Sequence, residues 1–290
     1  ELLRAYHWAQ GRLPVLESPS GDWIPAPATM LEAPGKVEEY YPGADGARSW
    51  AADVEIGPHH LPWLGVMDPQ GAETTRMLDY LEDYWMLRTG MGDYDEARNH
   101  ADWFNLGGFA KIQPYYGRTA EIYAMRDEVK PFLRAYFNAM PSLLNPENMT
   151  FWEHFHNRGA WNKTHETGSF LSQSRMMLVL EHGKELWLAP CVTGNWFGDG
   201  QSLSVQKAPT RFGPVSYQIT SKVAQGLIWA TVSVPTREAP EAVVIRLRHP
   251  EGKRMQSVTV NGQAHTDFDA ARETVRISKP QGELTIEARY

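Results

Sequence analysis

The chain has 290 residues, a formal charge of −7 and only 22% charged side chains. That length supplies one large domain or two ordinary ones, and mild acidity without a basic block argues against a nucleic-acid partner. No apolar run reaches the roughly 18 residues of a membrane helix, and the lone Cys191 reads as an inert buried thiol that cannot form an internal disulfide.

The start, Glu1-Leu2-Leu3-Arg4, lacks the basic and apolar parts of a signal peptide and has no initiator Met, so the chain reads as a mature product or a fragment. Localisation stays open between cytoplasmic and periplasmic or extracellular. Residues 11–69 are rich in Pro and Gly and are expected to be loops, with one or two short helices, laid over the mouth of something larger. Within them Asp53 and Glu55 sit two apart, on one side if that piece is extended. His59, His60 and Trp63 follow closely.

From Gln70 the spacing turns helical. Met77, Leu78, Leu81, Trp85 and Leu87 recur at three- and four-residue intervals, and Gly90 and Gly92 end the pattern. A second helix is expected over 94–104 and a third over 114–125. Asp127 suits the cap of a fourth, with Val129, Phe132, Leu133, Tyr136, Phe137 and Met140 on one face. The last helix starts at Thr164 or His165, with Thr164 as its cap, and carries Phe170, Leu171, Met177, Leu178 and Glu181 up to Gly183.

At Glu185 the period changes to two. Strands are expected over 186–188, 203–205, 215–220, 227–234, 243–248, 257–260, 274–278 and 284–288, with Asn261-Gly262 as a hairpin turn. The fold class is therefore α+β: helical hairpins over 1–184, then an antiparallel β-sandwich over 185–290.

The chemistry concentrates in Thr150-Phe151-Trp152-Glu153-His154-Phe155-His156 and in Thr164-His165-Glu166-Thr167-Gly168. Cleavage of a glycoside needs aromatic faces for the sugar ring and carboxyl groups for protons at the glycosidic oxygen and at water. Glu153 beside Trp152 is the first candidate base, and Glu166 and His165 stand at the start of a helix. Asp53 and Glu55 are the candidate partner carboxylates. Trp152, Trp161, Trp63, His59, His60, Tyr115, Tyr116 and His154 are the candidate substrate-binding residues. Eleven Trp in all suit an uncharged, polyhydroxylated ligand.

No cofactor and no metal are expected. His59-His60 and His154-x-His156 supply only pairs of ligands, and Asp267-Phe268-Asp269 reads as a turn rather than a calcium loop.

Taken in order, Thr150-x-Trp152-Glu153, His165 with a helix behind it, Pro190, and Asp199-Gly200 leading to Val205 resemble the C-terminal half of six-hairpin glycoside hydrolases of the α-L-rhamnosidase type. The resemblance runs over residues 70–290. It implies an (α/α) toroid ahead of a C-terminal β-sandwich, with the general base on the Glu of the Trp152-Glu153 pair, and it favours His165. The family's Asp-rich general-acid segment has no counterpart here, and a full toroid needs more helices than this chain supplies. A partial toroid is expected, either its later half or a reduced variant.

The leading reading is a glycoside hydrolase acting on a plant or microbial poly- or oligosaccharide. A polysaccharide lyase would instead recruit Tyr115, Tyr116, Arg118, Asn157, Arg158 and His165 to abstract a proton and neutralise a uronate. A non-catalytic carbohydrate-binding or structural fragment is the third reading. The sugar, the linkage, the stereochemical outcome and the oligomeric state are open at this point.

Overall fold

The computed structural model describes residues 15–16, 24–25, 60–80, 86–87, 109–110, 115, 117–153 and 161–290. The chain is mixed α and β and divides into two compact units, Glu1–Gln173 and Ser174–Tyr290.

In the first unit three antiparallel two-residue ladders occur: β1 (Val15–Leu16) with β2 (Ile24–Pro25), β3 (Met86–Leu87) with β4 (Phe109–Ala110), and β5 (Leu144–Asn145) with β6 (Thr150–Phe151). The described helices are α1 (His60–Trp63), α2 (Ala72–Tyr80), α3 (Thr119–Met125), α4 (Val129–Leu143) and α5 (Thr164–Leu178). Nothing among the described residues shows these helices arranged as a toroid.

Several helix boundaries differ from the sequence expectation, each for a local reason. The first long helix stops at Tyr80, and Leu87 lies in a strand instead. α3 begins at Thr119 because Arg118 adopts φ 51°, a left-handed conformation that a helix cannot pass through. Asp127 is also left-handed at φ 59°, so Glu128, not Asp127, is the N-cap residue of α4. The Lys163 carbonyl accepts the Thr167 N–H, which makes Thr164 the first helical residue rather than the cap. α5 ends at Leu178, so Glu181 belongs to a strand. The helix expected over 94–104 lies outside the described residues.

An aromatic column packs α4, β6 and α5 against one another. Phe132 stacks on Tyr136 at 6.0 Å and Tyr136 on Phe170 at 5.7 Å. Phe170 meets Phe151 at 5.1 Å, and Phe151 meets Tyr115 edge-on at 5.8 Å. Ala139 and Leu143 of α4 complete this core. Burial follows positions 132, 136, 139 and 143 at helical spacing, which leaves Phe137 41% exposed although its neighbours in sequence are core. The column fixes β6, and with it the residues that follow Phe151.

In the second unit β7 (Val179–His182) turns at Gly183-Lys184 into β8 (Glu185–Leu188). The rest are β9 (Ser202–Ala208), β10 (Val215–Lys222), β11 (Leu227–Ser233), β12 (Ala242–Arg246), β13 (Ser257–Val260), β14 (Gln263–His265), β15 (Phe268–Asp269), β16 (Thr274–Ser278) and β17 (Glu283–Arg289). They form a six-stranded sheet ordered β14-β13-β17-β11-β10-β9 and a five-stranded sheet ordered β15-β16-β12-β8-β7. Every pair is antiparallel except β8 with β12, which corrects the expectation of a wholly antiparallel module. The chain passes repeatedly between the sheets, and two hydroxyls tie them: Tyr217 Oη donates to the Leu178 carbonyl at 2.8 Å, and Tyr290 Oη donates to that of Leu247. Asp267 precedes β15, and Asp269 closes that strand and accepts backbone N–H bonds from Ala271 and Arg272 in the turn that follows, so the turn expected at 267–269 lies just after it.

Asn261 and Gly262 join β13 to β14 as a two-residue turn with φ of 51° and 78°. No atom lies within 4 Å of a Cβ built on Gly262, so a side chain there meets backbone strain and no clash. Gly262→Ala is expected to cost about 1 kcal/mol in urea unfolding. An unchanged midpoint would contradict the left-handed turn.

His249 is 3% exposed, its Nδ1 accepts the Glu251 N–H at 3.1 Å, and its ring lies 5.1 Å from that of Tyr290. Burial, assisted by Lys253, pushes its pKa below the ordinary 6.5. The unfolded chain therefore binds this proton more readily, and stability is lost as pH falls below 6.5 toward the depressed folded value. The melting temperature of the second unit is expected to drop on acidification, and to drop less in His249→Asn, whose Oδ1 can accept the same N–H. Equal losses in both proteins would contradict this.

Candidate functional site

β6 delivers Trp152 and Glu153 to the edge of the first unit. Three backbone-directed bonds secure them: Trp152 N–H to the Leu143 carbonyl at 2.8 Å, Lys163 N–H to that of Phe151 at 3.2 Å, and Thr150 Oγ1 to that of Trp161 at 2.6 Å. The last two bring the start of α5 back beside β6. As a result the Lys163 ammonium sits 2.8 Å from Glu153 Oε1, with both side chains partly open to solvent. The Glu153 carboxylate, first among its causes, raises the pKa of Lys163, and Glu166 adds to the effect. Opposite charges at this distance each favour the ionised form of the other. The apolar surroundings expected around Glu153 are thus replaced on one side by a cation.

α5 then presents an unusual buried stripe. Positions 166, 169, 173, 176 and 177 share one helix face, and Glu166, Ser169 and Gln173 are buried along with Met176 and Met177. The first two turns of that face are polar. Opposite them, α3 offers Glu121, whose side chain is fully buried, and Arg118 at its start. Arg118 donates to Glu121 Oε1 at 3.2 Å and to Ser169 Oγ at 3.0 Å, and lies 3.2 Å from His165 Nε2. Gln173 donates to Glu121 Oε2 at 3.1 Å. Burial raises the Glu121 pKa, and Arg118 opposes that push. The guanidinium also lies over the Trp63 ring, 5.3 Å from its centroid. His165 Nδ1 is 3.6 Å from Glu166 Oε1.

A continuous chain of contacts therefore runs from Trp63 through Arg118 to His165 and Glu166. The field of Glu166 reaches Lys163, which holds Glu153. Trp63, His165, Glu166 and Glu153 fall in this one neighbourhood. His165 and Trp63 are open to solvent at 40% and 36%, whereas Glu166 is fully buried. Trp152 is half-buried and Trp161 is exposed. His60 opens α1, three residues before Trp63.

Tyr115 is not on a surface. It is fully buried in the aromatic column, and burial pushes its phenol well above the ordinary range, with the charges of Glu121 and Glu166 adding to the effect. It packs the core instead of meeting a ligand. Asp53, Glu55, His59, Tyr116 and His154 lie outside the described residues, as do Asn157 and Arg158.

Glu121, Lys163, Ser169 and Gln173 were not legible as site residues. The signal that could have found two of them, Ser169 and Gln173, is Glu166-x-x-Ser169-x-x-x-Gln173, polar side chains at the spacing of a buried stripe. Among the described residues no group of three His, Cys, Asp or Glu converges as a metal site, and no helix is long and apolar enough to cross a membrane.

No family model matches the sequence, and no curated protein does. One solved structure, titled "Glycoside hydrolase", superposes with a TM-score of 0.33 and 11% identity over 61% of this chain and 31% of that one. The chain thus spans about a third of that neighbour's length. Similarity at this level carries no inference about the reaction.

Proposed function

We propose that this chain carries part of the active site of a glycoside hydrolase acting on a plant or microbial poly- or oligosaccharide, with Glu153 as the base that takes a proton from water. The observation that carries the reading is Glu153 itself: a partly exposed carboxylate, held against the Lys163 ammonium at 2.8 Å, on a rigidly anchored strand end. An ionised carboxylate in reach of solvent is what a general base or nucleophile requires.

Around it the roles divide. Trp161, exposed, offers its ring to a pyranose, and Trp63, which carries Arg118 over one face of its ring, offers the other. His165 offers a ring nitrogen to a sugar hydroxyl, steadied by Glu166 and Arg118. Arg118 is positioned by Glu121 and Ser169 and touches the site through Trp63 and His165. The general acid in this proposal is Asp53 or Glu55, and the helices belong to a partial toroid of rhamnosidase-like type.

The core position of Tyr115 weighs against the lyase reading, because a phenol sealed in an aromatic stack cannot abstract a substrate proton. One experiment separates the readings. The chain is incubated with neutral oligosaccharides, neutral polysaccharides and polygalacturonate, and new reducing ends and ultraviolet absorbance are followed together. Reducing ends without absorbance support hydrolysis. Absorbance from an unsaturated uronate would establish a lyase, and binding without either product would leave a carbohydrate-binding protein.

A further inference from the structure

The two faces of the six-stranded sheet are chemically unlike. Along β10, β11 and β17 burial alternates strictly, with Tyr217, Ile219, Ala230, Val232 and Ile286 on the inner side. On the outer side the register sets Ser204, Gln218, Thr231 and Thr285 in one row across four strands. Ser216, Ser233 and Glu283 form the row on one side of it, and Thr220, Trp229 and Glu287 the row on the other. A groove of about 190 Å³ opens on this face, lined by Ser204, Gln206, Gln218, Thr231, Ser233 and Glu283.

Mere solvation of a sheet face is served as well by Lys and Glu, and a Trp near its centre gains nothing from water. Here, beside Glu283, the polar lining of the groove is hydroxyls and amides, each both donor and acceptor, which is the hydrogen-bonding character of a sugar hydroxyl. Trp229 is half-buried on the same face, one outward position along β11 from Thr231, about 7 Å away. Its ring supplies the flat apolar surface that the C–H face of a pyranose needs. Glu283 and Glu287 flank the hydroxyl row and Lys222 and Arg289 stand in the row beyond Trp229, so the charges on this face are of both signs and the uncharged hydroxyls and amides between them suit an uncharged chain.

We propose that this outer face binds a neutral oligosaccharide, one ring lying against Trp229 and the next over the groove, where Gln218, Thr231 and Ser233 exchange hydrogen bonds with its hydroxyls. The site uses no residue of the first unit, so it stands whether or not Glu153 cleaves anything.

The test is affinity electrophoresis of the intact chain in native gels containing a soluble β-glucan, a galactomannan or polygalacturonate. Retardation is expected in a neutral gel. Trp229→Ala and Gln218→Ala should each weaken the association by about tenfold or more. Gln218 is exposed, so its variant keeps the fold and decides the matter alone if Trp229→Ala unfolds. Failure of both neutral polysaccharides to retard the chain, undiminished retardation of Gln218→Ala, or retardation by polygalacturonate alone would overturn the proposal.

Discussion

Glu153→Gln is expected to lower glycoside turnover by about 100-fold or more, with KM changed far less. The amide keeps the shape and the hydrogen-bonding reach of the side chain but cannot take a proton. Lys163 adds a second, independent readout. A neighbouring ammonium 2.8 Å away holds the carboxylate in place, so Lys163→Met removes that brace and should lower kcat with KM changed far less. Both variants must melt like the parent for the comparison to count. Near-normal turnover in Glu153→Gln would show that the residue only braces the β6–α5 junction, and the base would then be sought at Glu166 or Asp53.

Arg118→Met is expected to destabilise the chain by about 3–5 kcal/mol in chemical unfolding, because it strands the fully buried Glu121 carboxylate. Ser169 and His165 lose their partner at the same time. Glu121→Gln should be mild, since its amide can still meet Gln173. The double variant Arg118→Met with Glu121→Leu should recover much of the loss, since an apolar pair leaves no buried charge. The pH dependence carries a sign. Burial already raises the Glu121 pKa, and without Arg118 nothing comparable opposes it. The folded variant then holds a proton that the unfolded chain releases, so Arg118→Met should regain stability as pH falls from neutral. A loss that is independent of pH would point to packing instead of charge.

The strands of the second unit were readable because one face is buried and the other is wet, which prints period two on the sequence. β7 was not: Val179-Leu180-Glu181-His182 continues the apolar spacing of α5, and only its pairing with β8 makes it a strand. The parallel β8–β12 contact joins residues far apart in sequence, and no local pattern encodes such a partner. In the first unit the apolar rule misled at α5. Leu171 looks like core and is 61% exposed, whereas Glu166, Ser169 and Gln173 look like surface and are buried. The burial of Ser169 and Gln173 is stabilised by Arg118 and Glu121, which come from another helix and from the left-handed residue that delays its start. The Trp152-Glu153 pair stood out in the sequence as a candidate, but the Lys163 partner of Glu153 did not, since nothing in the sequence shows that the start of α5 folds back onto β6.

Chemical rescue of Glu153→Ala tests the central claim most directly. With the carboxylate removed, added azide can attack the anomeric carbon without a base, breaking the glycosidic C–O bond while the leaving oxygen takes its proton from the general acid. Turnover should rise with azide concentration, and a glycosyl azide should accumulate whose anomeric configuration reports the role Glu153 plays. A folded Glu153→Ala that stays inactive at every azide concentration, or that is as active as the parent without it, would contradict a catalytic Glu153.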